Sequence, residues 1–223
     1  MATTTPYKQI RALYDDEIIT VYQAYNTQIA SAAVAAQKLD ASTKFRIGSR
    51  MTWVKPSWAW MLYRAGYSYK DPGQERILAI KMRHADFVGL LARGVLTPHA
   101  TGKTSTSDPD NDQGSADKQK DKREKSSDVK IQWDPERTVR LEKLEYRSIQ
   151  IGIPGALTPR WAEEMIVGIE DVTDKARELK RVLDERPGVT DEELVDMELV
   201  PVERPFEISE ELQKSLRMVL PEE

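Results

Sequence analysis

The chain has 223 residues and a formal net charge of −4, with 39% hydrophobic and 31% charged residues. This balance is typical of one globular domain with a core, and it excludes collagen-like, wholly disordered and membrane-spanning proteins. Because cysteine is absent and there are only two histidines, disulfides, thiolate zinc sites and cysteine nucleophiles are excluded, and a multi-histidine metal site has little basis. We therefore expect no metal, and chemistry that rests on Arg, Lys, carboxylate, amide, hydroxyl and aromatic side chains.

The amino-terminal half alternates predicted strands and helices. The first strand, IITVYQAY, is β-branched and aromatic, as a largely buried strand is, and Asn26 or Thr27 is suited to cap the alanine-rich helix after it. Pro56 stands at the start of the second helix, and Gly94 is suited to end the third. In chain order the predicted elements are a strand at 18–25, a helix to about residue 39, a strand at 44–53, a helix at 57–65, a strand at 77–82 and a helix at 86–92.

The later part of the chain has one informative strand and a helical end. In RSIQIGI, three isoleucines alternate with Ser148, Gln150 and Gly152, so Gln150 lies in the middle of the polar face with small neighbours. The sequence predicts an α+β fold with a curved, mostly antiparallel sheet and a helical carboxyl-terminal third. The predicted elements here are a strand at 129–133, a turn or helix start at 134–135, a strand at 147–153, helices at 158–170 and 173–185, a capping box at 190–193, a strand at 198–202 and a helix at 209–218.

A polar segment at about 101–127 interrupts this pattern. It has no aromatic or branched aliphatic residue, and its charges of both signs roughly cancel. Such a segment cannot bury enough apolar surface to offset its ordering entropy. We therefore predict a single domain over residues 1–223 with a disordered insert.

Charge and aromatic residues concentrate in the segment 41–70. It contains six Lys and Arg residues and no acidic residue, together with most of the tryptophans. A cationic surface with interleaved rings suits phosphates and stacked bases, so an anionic partner is one interpretation. The alternative is that the rings belong to the core and the cations to its solvated rim.

Three side chains in GSRMTWVKPSWAW could bind a phosphate. Thr52, Lys55 and Ser57 bring hydroxyls and an ammonium group to a helix amino terminus, where backbone N–H groups are unpaired. Ordinary helix capping by Ser57 beside a surface lysine is the alternative. Arg50 lies within a predicted strand between apolar neighbours, so it needs either a buried partner or a ligand.

Polar residues also occur within the predicted strands at 18–25 and 147–153. Gln23 and Tyr25 in the first strand require hydrogen-bond partners if they are buried. Arg147, Ser148 and Gln150 bring similar groups to the later one. No Ser-His-Asp triad is indicated.

Five strings in order resemble a family of unknown function, domain of unknown function 4291. They are IRALYDDEIITVYQAYN, RMTWVKPSWAWMLYRAGY, GQERILAI, VKIQWDPER and YRSIQIGI, and the resemblance covers about residues 8–185. The plan of the chain is also faintly similar to the ADP-ribosyltransferase superfamily. That similarity implies a split sheet holding NAD, with an Arg or His on a first strand, a hydroxyl or aromatic group on a second, and a catalytic Glu on a later one.

Carried onto this sequence, the similarity places Gln23 and Tyr25 on the first strand, Ser49, Thr52 and Trp53 on the second, and Gln150 where the Glu is expected. Two of these three positions depart from the pattern. The resemblance implies catalytic roles for Gln150, Tyr25 and Arg50. It implies a cofactor-binding set of Gln23, Thr52, Trp53, Lys55, Ser57, Arg147 and Ser148.

Three functions remain open from the sequence. The first is a nucleotide-utilising, ADP-ribosyltransferase-like enzyme with NAD as donor and an acceptor of undetermined class, nucleic acid included. The second is an RNA-binding or RNA-processing protein with a basic aromatic groove, and the third is a non-catalytic interaction domain. No signal peptide or membrane span is indicated, so we expect no membrane partner and a cytoplasmic location, with a nuclear one left open.

Overall fold

The computed structural model describes residues 5–97 and 128–218. The predicted insert at 101–127 lies outside the described residues. The strands are β1 (Arg11–Ala12), β2 (Ile18–Tyr25), β3 (Thr52–Val54), β4 (Arg76–Arg83), β5 (Gly94–Leu96), β6 (Val129–Arg137), β7 (Lys143–Ile153), β8 (Ile166–Asp171) and β9 (Arg204–Pro205). The α-helices are α1 (Thr27–Ala36), α2 (Trp58–Ala65), α3 (His84–Ala92), α4 (Thr158–Arg160), α5 (Thr173–Glu185), α6 (Asp191–Asp196) and α7 (Glu210–Ser215).

Two sheets dominate the fold. The first has the strand order β2-β4-β8 and is antiparallel, and the second has the order β3-β7-β6-β5 and is antiparallel except for the parallel pair β5-β6. The short pair β1-β9 joins residues that are far apart in the chain. The α+β fold with a mostly antiparallel sheet is therefore confirmed.

Backbone hydrogen bonds join the two sheets where β2 approaches β3. Tyr22 and Lys55 form an isolated antiparallel bridge with two backbone hydrogen bonds of 2.7 and 3.1 Å. Beyond this bridge β2 continues to pair with β4, while β3 pairs with β7. The carboxyl-terminal end of β2 and the amino-terminal end of β3 therefore form the two sides of a split.

A large apolar core lies on the inner faces of both sheets. Alternate residues of β7, Ile149, Ile151 and Ile153, are buried in it with their counterparts on β6, as the alternation predicts. A second cluster packs α2 and α5 against the other face of β2 and β4. In this arrangement Gln150 occupies the face of β7 opposite the main core.

Four predicted elements are wrong. Only Thr52–Val54 of the strand at 44–53 forms, because the preceding residues turn through Gly48 at a φ of +71°. The predicted turn at 134–135 lies inside β6, where a register shift accommodates the proline. The helix at 158–170 ends at Met165, and the β-branched residues after it form β8. The predicted strand at 198–202 instead closes a turn after α6, with Glu198 at a φ of +58°.

The remaining predicted strands and helices are confirmed within a few residues. Asn26 caps α1 and Ser57 caps α2 with side-chain oxygens. The capping box at Thr190 and Glu193 is present at α6.

Candidate functional site

A pocket of about 680 Å³ occupies the split between β2 and β3. Its walls are the end of β2, the loop before β3, β3 itself, the polar face of β6 and β7, and α2. This volume lies in the range of small-molecule and cofactor sites. The split therefore provides a cavity large enough for a nucleotide-sized ligand.

The pocket is lined by cations, rings and amides. No Asp or Glu occurs among its described lining residues. Cationic walls with aromatic rings suit a ligand that combines phosphate with an aromatic base. The cations are Lys44, Arg46, Arg50, Lys55 and Arg64, the rings are Tyr25, Phe45, Trp53 and Trp60, and the amides are Gln23, Gln74, Gln132 and Gln150.

Side-chain hydrogen bonds bridge the two strands at the split. The Thr52 hydroxyl donates to Gln23 Oε1 at 2.9 Å, and the Tyr25 hydroxyl lies 3.4 Å from the Thr52 hydroxyl. Because Gln23 accepts through its oxygen, its amide N–H groups are the part that can donate to a ligand. The bridge positions Gln23 and Tyr25 on one wall of the pocket.

Lys55 and Arg50 place positive charge at different depths. Lys55 is only 4% exposed, and its ammonium lies 5.0 Å from the centroid of the Trp60 ring. Arg50 lies in the exposed loop before β3, so it belongs to the rim and not to a strand. The pocket therefore offers one buried and several rim cations to an anion.

Trp53 packs closely over a glycine of the neighbouring strand. Gly152 lies opposite Trp53 in the β3-β7 register. A Cβ atom on Gly152 would lie 2.7 Å from Met51 Sδ and 2.8 Å from Trp53 Cη2. Gly152 thus leaves the space that these two lining residues occupy.

Gln150 takes part in a second hydrogen-bond network. It lies opposite Gln132 across β6 and β7, and its Nε2 donates to Gln132 Oε1 at 2.9 Å and to Asp134 Oδ2 at 3.3 Å. Both amides line the pocket, whereas Asp134 is behind them on the same face of β6. A carboxylate therefore lies one hydrogen bond away from the pocket wall.

Seven of the ten predicted site residues line this one pocket, and three do not. Arg50 and Gln150, from distant parts of the sequence, are among the seven. Ser57 is buried, accepts from the Trp60 N–H and donates to Glu136 Oε1 at 3.0 Å. Arg147 donates to the Tyr7 hydroxyl and the Trp133 carbonyl, and Ser148 is buried opposite Asp134. The seven are Gln23, Tyr25, Arg50, Thr52, Trp53, Lys55 and Gln150.

Sequence reasoning missed several lining residues and one neighbour. Lys44, Arg46 and Arg64 are in the basic segment, but nothing in the sequence distinguished them from a solvated rim. Gln132 lies on the polar face of the strand predicted at 129–133 but was not singled out, whereas Asp134 falls in residues interpreted as a turn and is part of β6.

Two carboxyl groups hold the start of α2, the helix that carries Trp60. Glu136 accepts from Ser57, and Glu203 Oε1 accepts from the Trp58 N–H at 2.6 Å. Burial raises the pKa of both groups, that of Glu203 to about 8, with the nearby charge of Glu136 adding to the effect. The Trp58 hydrogen bond and Arg11 oppose the rise at Glu203. Burial therefore favours the protonated form of Glu203.

This shift predicts a pH-dependent stability. A carboxyl group with a higher pKa in the folded chain favours folding while protonated, so its contribution is complete below 4.5 and is lost as the pH rises towards 8. We expect the free energy of unfolding to fall by about 1–3 kcal/mol between about pH 5 and about pH 8.5. This fall is smaller than the full pKa shift would give, because Glu203 is partly exposed to solvent. Glu203→Gln should remove most of this fall in urea titrations. Exposed Glu207→Gln is the control, and an unchanged fall in Glu203→Gln would contradict the assignment.

Comparison with known proteins gives the family. The model of a family described as domain of unknown function (DUF4291) matches residues 9–206. The chain belongs to DUF4291. All described lining residues of the pocket lie inside the part that matches DUF4291. A search of curated proteins gave no match. In the described part of this DUF4291 chain, no helix is long and apolar enough to cross a membrane.

Proposed function

We propose that this DUF4291 chain is a nucleotide-utilising transferase, ADP-ribosyltransferase-like, with NAD as its donor substrate. The observation that carries the proposal is the pocket at the split, which combines cations, rings and amides without a described lining carboxylate. A dinucleotide needs these three groups, because it combines a pyrophosphate, two aromatic bases and ribose hydroxyls.

In this proposal, different lining residues would contact different parts of NAD. Lys55 and Arg50 would neutralise the pyrophosphate, since charge-assisted hydrogen bonds to phosphate are the strong ones. Tyr25 and Trp53 would stack on the nicotinamide or its ribose. Gln23 would donate to the ligand, and Gln150 would hydrogen-bond the ribose.

The proposed reaction replaces one bond at the ribose C1′ atom. The bond from C1′ to the nicotinamide nitrogen breaks, and nicotinamide leaves with the bonding pair. The acceptor's nucleophilic atom forms the new bond to C1′ and loses a proton. Positive charge builds on the ribose during this step, as in glycoside cleavage.

The first test measures NAD binding and nicotinamide release by the wild-type chain. We expect NAD to raise the melting temperature, since a ligand that binds only the folded state stabilises it. We also expect slow release of nicotinamide with water as acceptor. Failure of both readouts would overturn the NAD proposal.

RNA binding is a second candidate function, favoured by the position of three cations. Lys44, Arg46 and Arg50 are exposed on one loop at the pocket rim, where they can contact a phosphate chain. A strand that follows such a rim releases several counterions on binding, so its affinity falls steeply with salt. The same thermal-shift experiment with a short RNA at low and moderate salt tests this. Stabilisation by RNA alone, fading with salt, would favour RNA binding, and no response to either ligand would favour an interaction domain.

A further inference from the structure

Gln150, Gln132 and Asp134 form a row of hydrogen-bonded polar side chains beside the pocket. Gln150 Nε2 donates to Gln132 Oε1 at 2.9 Å and to Asp134 Oδ2 at 3.3 Å. The three residues share one face of β6 and β7, opposite the isoleucine core. Both donor hydrogens of the Gln150 amide are therefore directed to protein acceptors.

Asp134 is the member that fixes the direction of this row. An ionised carboxylate only accepts hydrogen bonds, so it can face the NH₂ end of Gln150 but not the carbonyl end. Gln132 by itself could flip, because an amide offers both a donor and an acceptor. Once Asp134 has set the orientation, Oε1 is the atom of Gln150 that can accept from a ligand.

The negative charge of Asp134 also suits the proposed reaction, in which positive charge develops. Positive charge builds on the ribose as the nicotinamide bond breaks, yet the described lining residues include cations and no carboxylate. A negative charge behind the amide polarises it and makes its carbonyl oxygen a stronger acceptor.

We propose that Asp134 is a positioning residue of the NAD site: it holds Gln150 with its carbonyl oxygen available to the ribose and strengthens that oxygen as an acceptor. The effect of Asp134 on the reaction rests on the proposed function. The orientation of the Gln150 amide by Asp134 does not depend on it. Sequence reasoning placed a neutral amide where a Glu was expected, and Asp134 supplies the missing charge through that amide.

The kinetic test uses NAD and water. In the measured step, the bond from ribose C1′ to nicotinamide breaks, nicotinamide leaves with the electron pair, and water adds to C1′ and releases a proton. We expect Asp134→Asn to lower kcat by roughly 10- to 100-fold with KM for NAD changed less than about threefold, because the lost interaction matters most in the transition state. Exposed Asp16→Asn should match wild type.

A second pair of variants separates this role from simple damage to the fold. Gln150→Glu alone places two carboxylates side by side and should also be slow. When Asp134→Asn is combined with Gln150→Glu, the amide introduced on β6 can donate to the carboxylate introduced on β7. We therefore expect the double variant to release nicotinamide within about tenfold of wild type, faster than either single variant. A double variant no faster than the singles, or an Asp134→Asn variant with wild-type kcat, would overturn the inference.

An NMR measurement keeps the inference testable if NAD proves not to be the substrate. The side-chain NH₂ signal of Gln150 should follow the titration of Asp134 in the unliganded wild type, and this dependence should vanish in Asp134→Asn. A Gln150 signal that does not respond to Asp134 would refute the orientation. A wild-type chain that neither binds nor cleaves NAD, but has this coupling, would refute the proposed function alone.

Discussion

Replacing Arg50 with alanine should strongly reduce stabilisation by NAD while leaving the unliganded melting temperature within about 2 °C of wild type. Arg50 is exposed at the rim of the pocket, so its removal leaves no cavity in the core. A charge-assisted hydrogen bond to phosphate contributes about 1.5–3 kcal/mol, so the loss should weaken NAD binding by roughly 10- to 150-fold.

Differential scanning fluorimetry over a range of NAD concentrations measures this effect. At a hundredfold excess over Kd, NAD should stabilise wild type by about 2.7 kcal/mol, and Arg50→Ala should need a much higher concentration for the same shift. Arg93→Ala is the matched control, because Arg93 is exposed and lies outside the pocket lining. A large fall in the unliganded melting temperature of Arg50→Ala would mark Arg50 as structural and contradict its assigned role.

Gly152→Ala should damage the pocket without touching any polar ligand-binding group. The added Cβ would lie 2.7 Å from Met51 Sδ and 2.8 Å from the Trp53 ring, closer than real Cβ contacts allow. Trp53 and Met51 must move, and both line the pocket. We expect NAD binding to weaken by roughly 5- to 150-fold, since the displaced Trp53 ring loses stacking worth about 1–3 kcal/mol.

Gly168→Ala is the matched control for this variant. Gly168 also lies in a strand, but a Cβ there would meet Lys81 Cδ at 3.4 Å, an ordinary contact with a flexible side chain. We expect it to bind NAD as wild type does in isothermal titration calorimetry. Equal binding by Gly152→Ala and wild type would show that the position of Trp53 does not matter for the ligand.

Local sequence signals predicted much of the fold because they act over short distances. The β-branched run at 18–25 gave a strand with the same bounds, and the caps at Asn26, Ser57 and Thr190 began their helices. The alternation of isoleucines in β7 correctly predicted which face Gln150 occupies. Each signal depends on backbone geometry or on burial of a face, both of which operate within one element.

Local signals failed where tertiary pairing decided the conformation. The residues of β8 suit a helix or a strand, and pairing with β4 selects the strand. Pro135 indicates a break by itself, but a register shift against β7 keeps it inside β6. Pairing with strands that are distant in the chain contributes free energy, and a short stretch of sequence carries no information about that pairing.

The sequence by itself determined which chemical groups the site can use: cations and rings in the segment 41–70, and amides on two strands, without cysteine. Only the tertiary structure decided which of them meet. The split beyond the Tyr22–Lys55 bridge gathers seven predicted residues in one pocket, leaves Ser57 and Arg147 in structural hydrogen bonds and leaves Ser148 buried outside the pocket lining. It also brings Asp134 behind Gln150, because strand register sets neighbours across a sheet that are far apart in the chain.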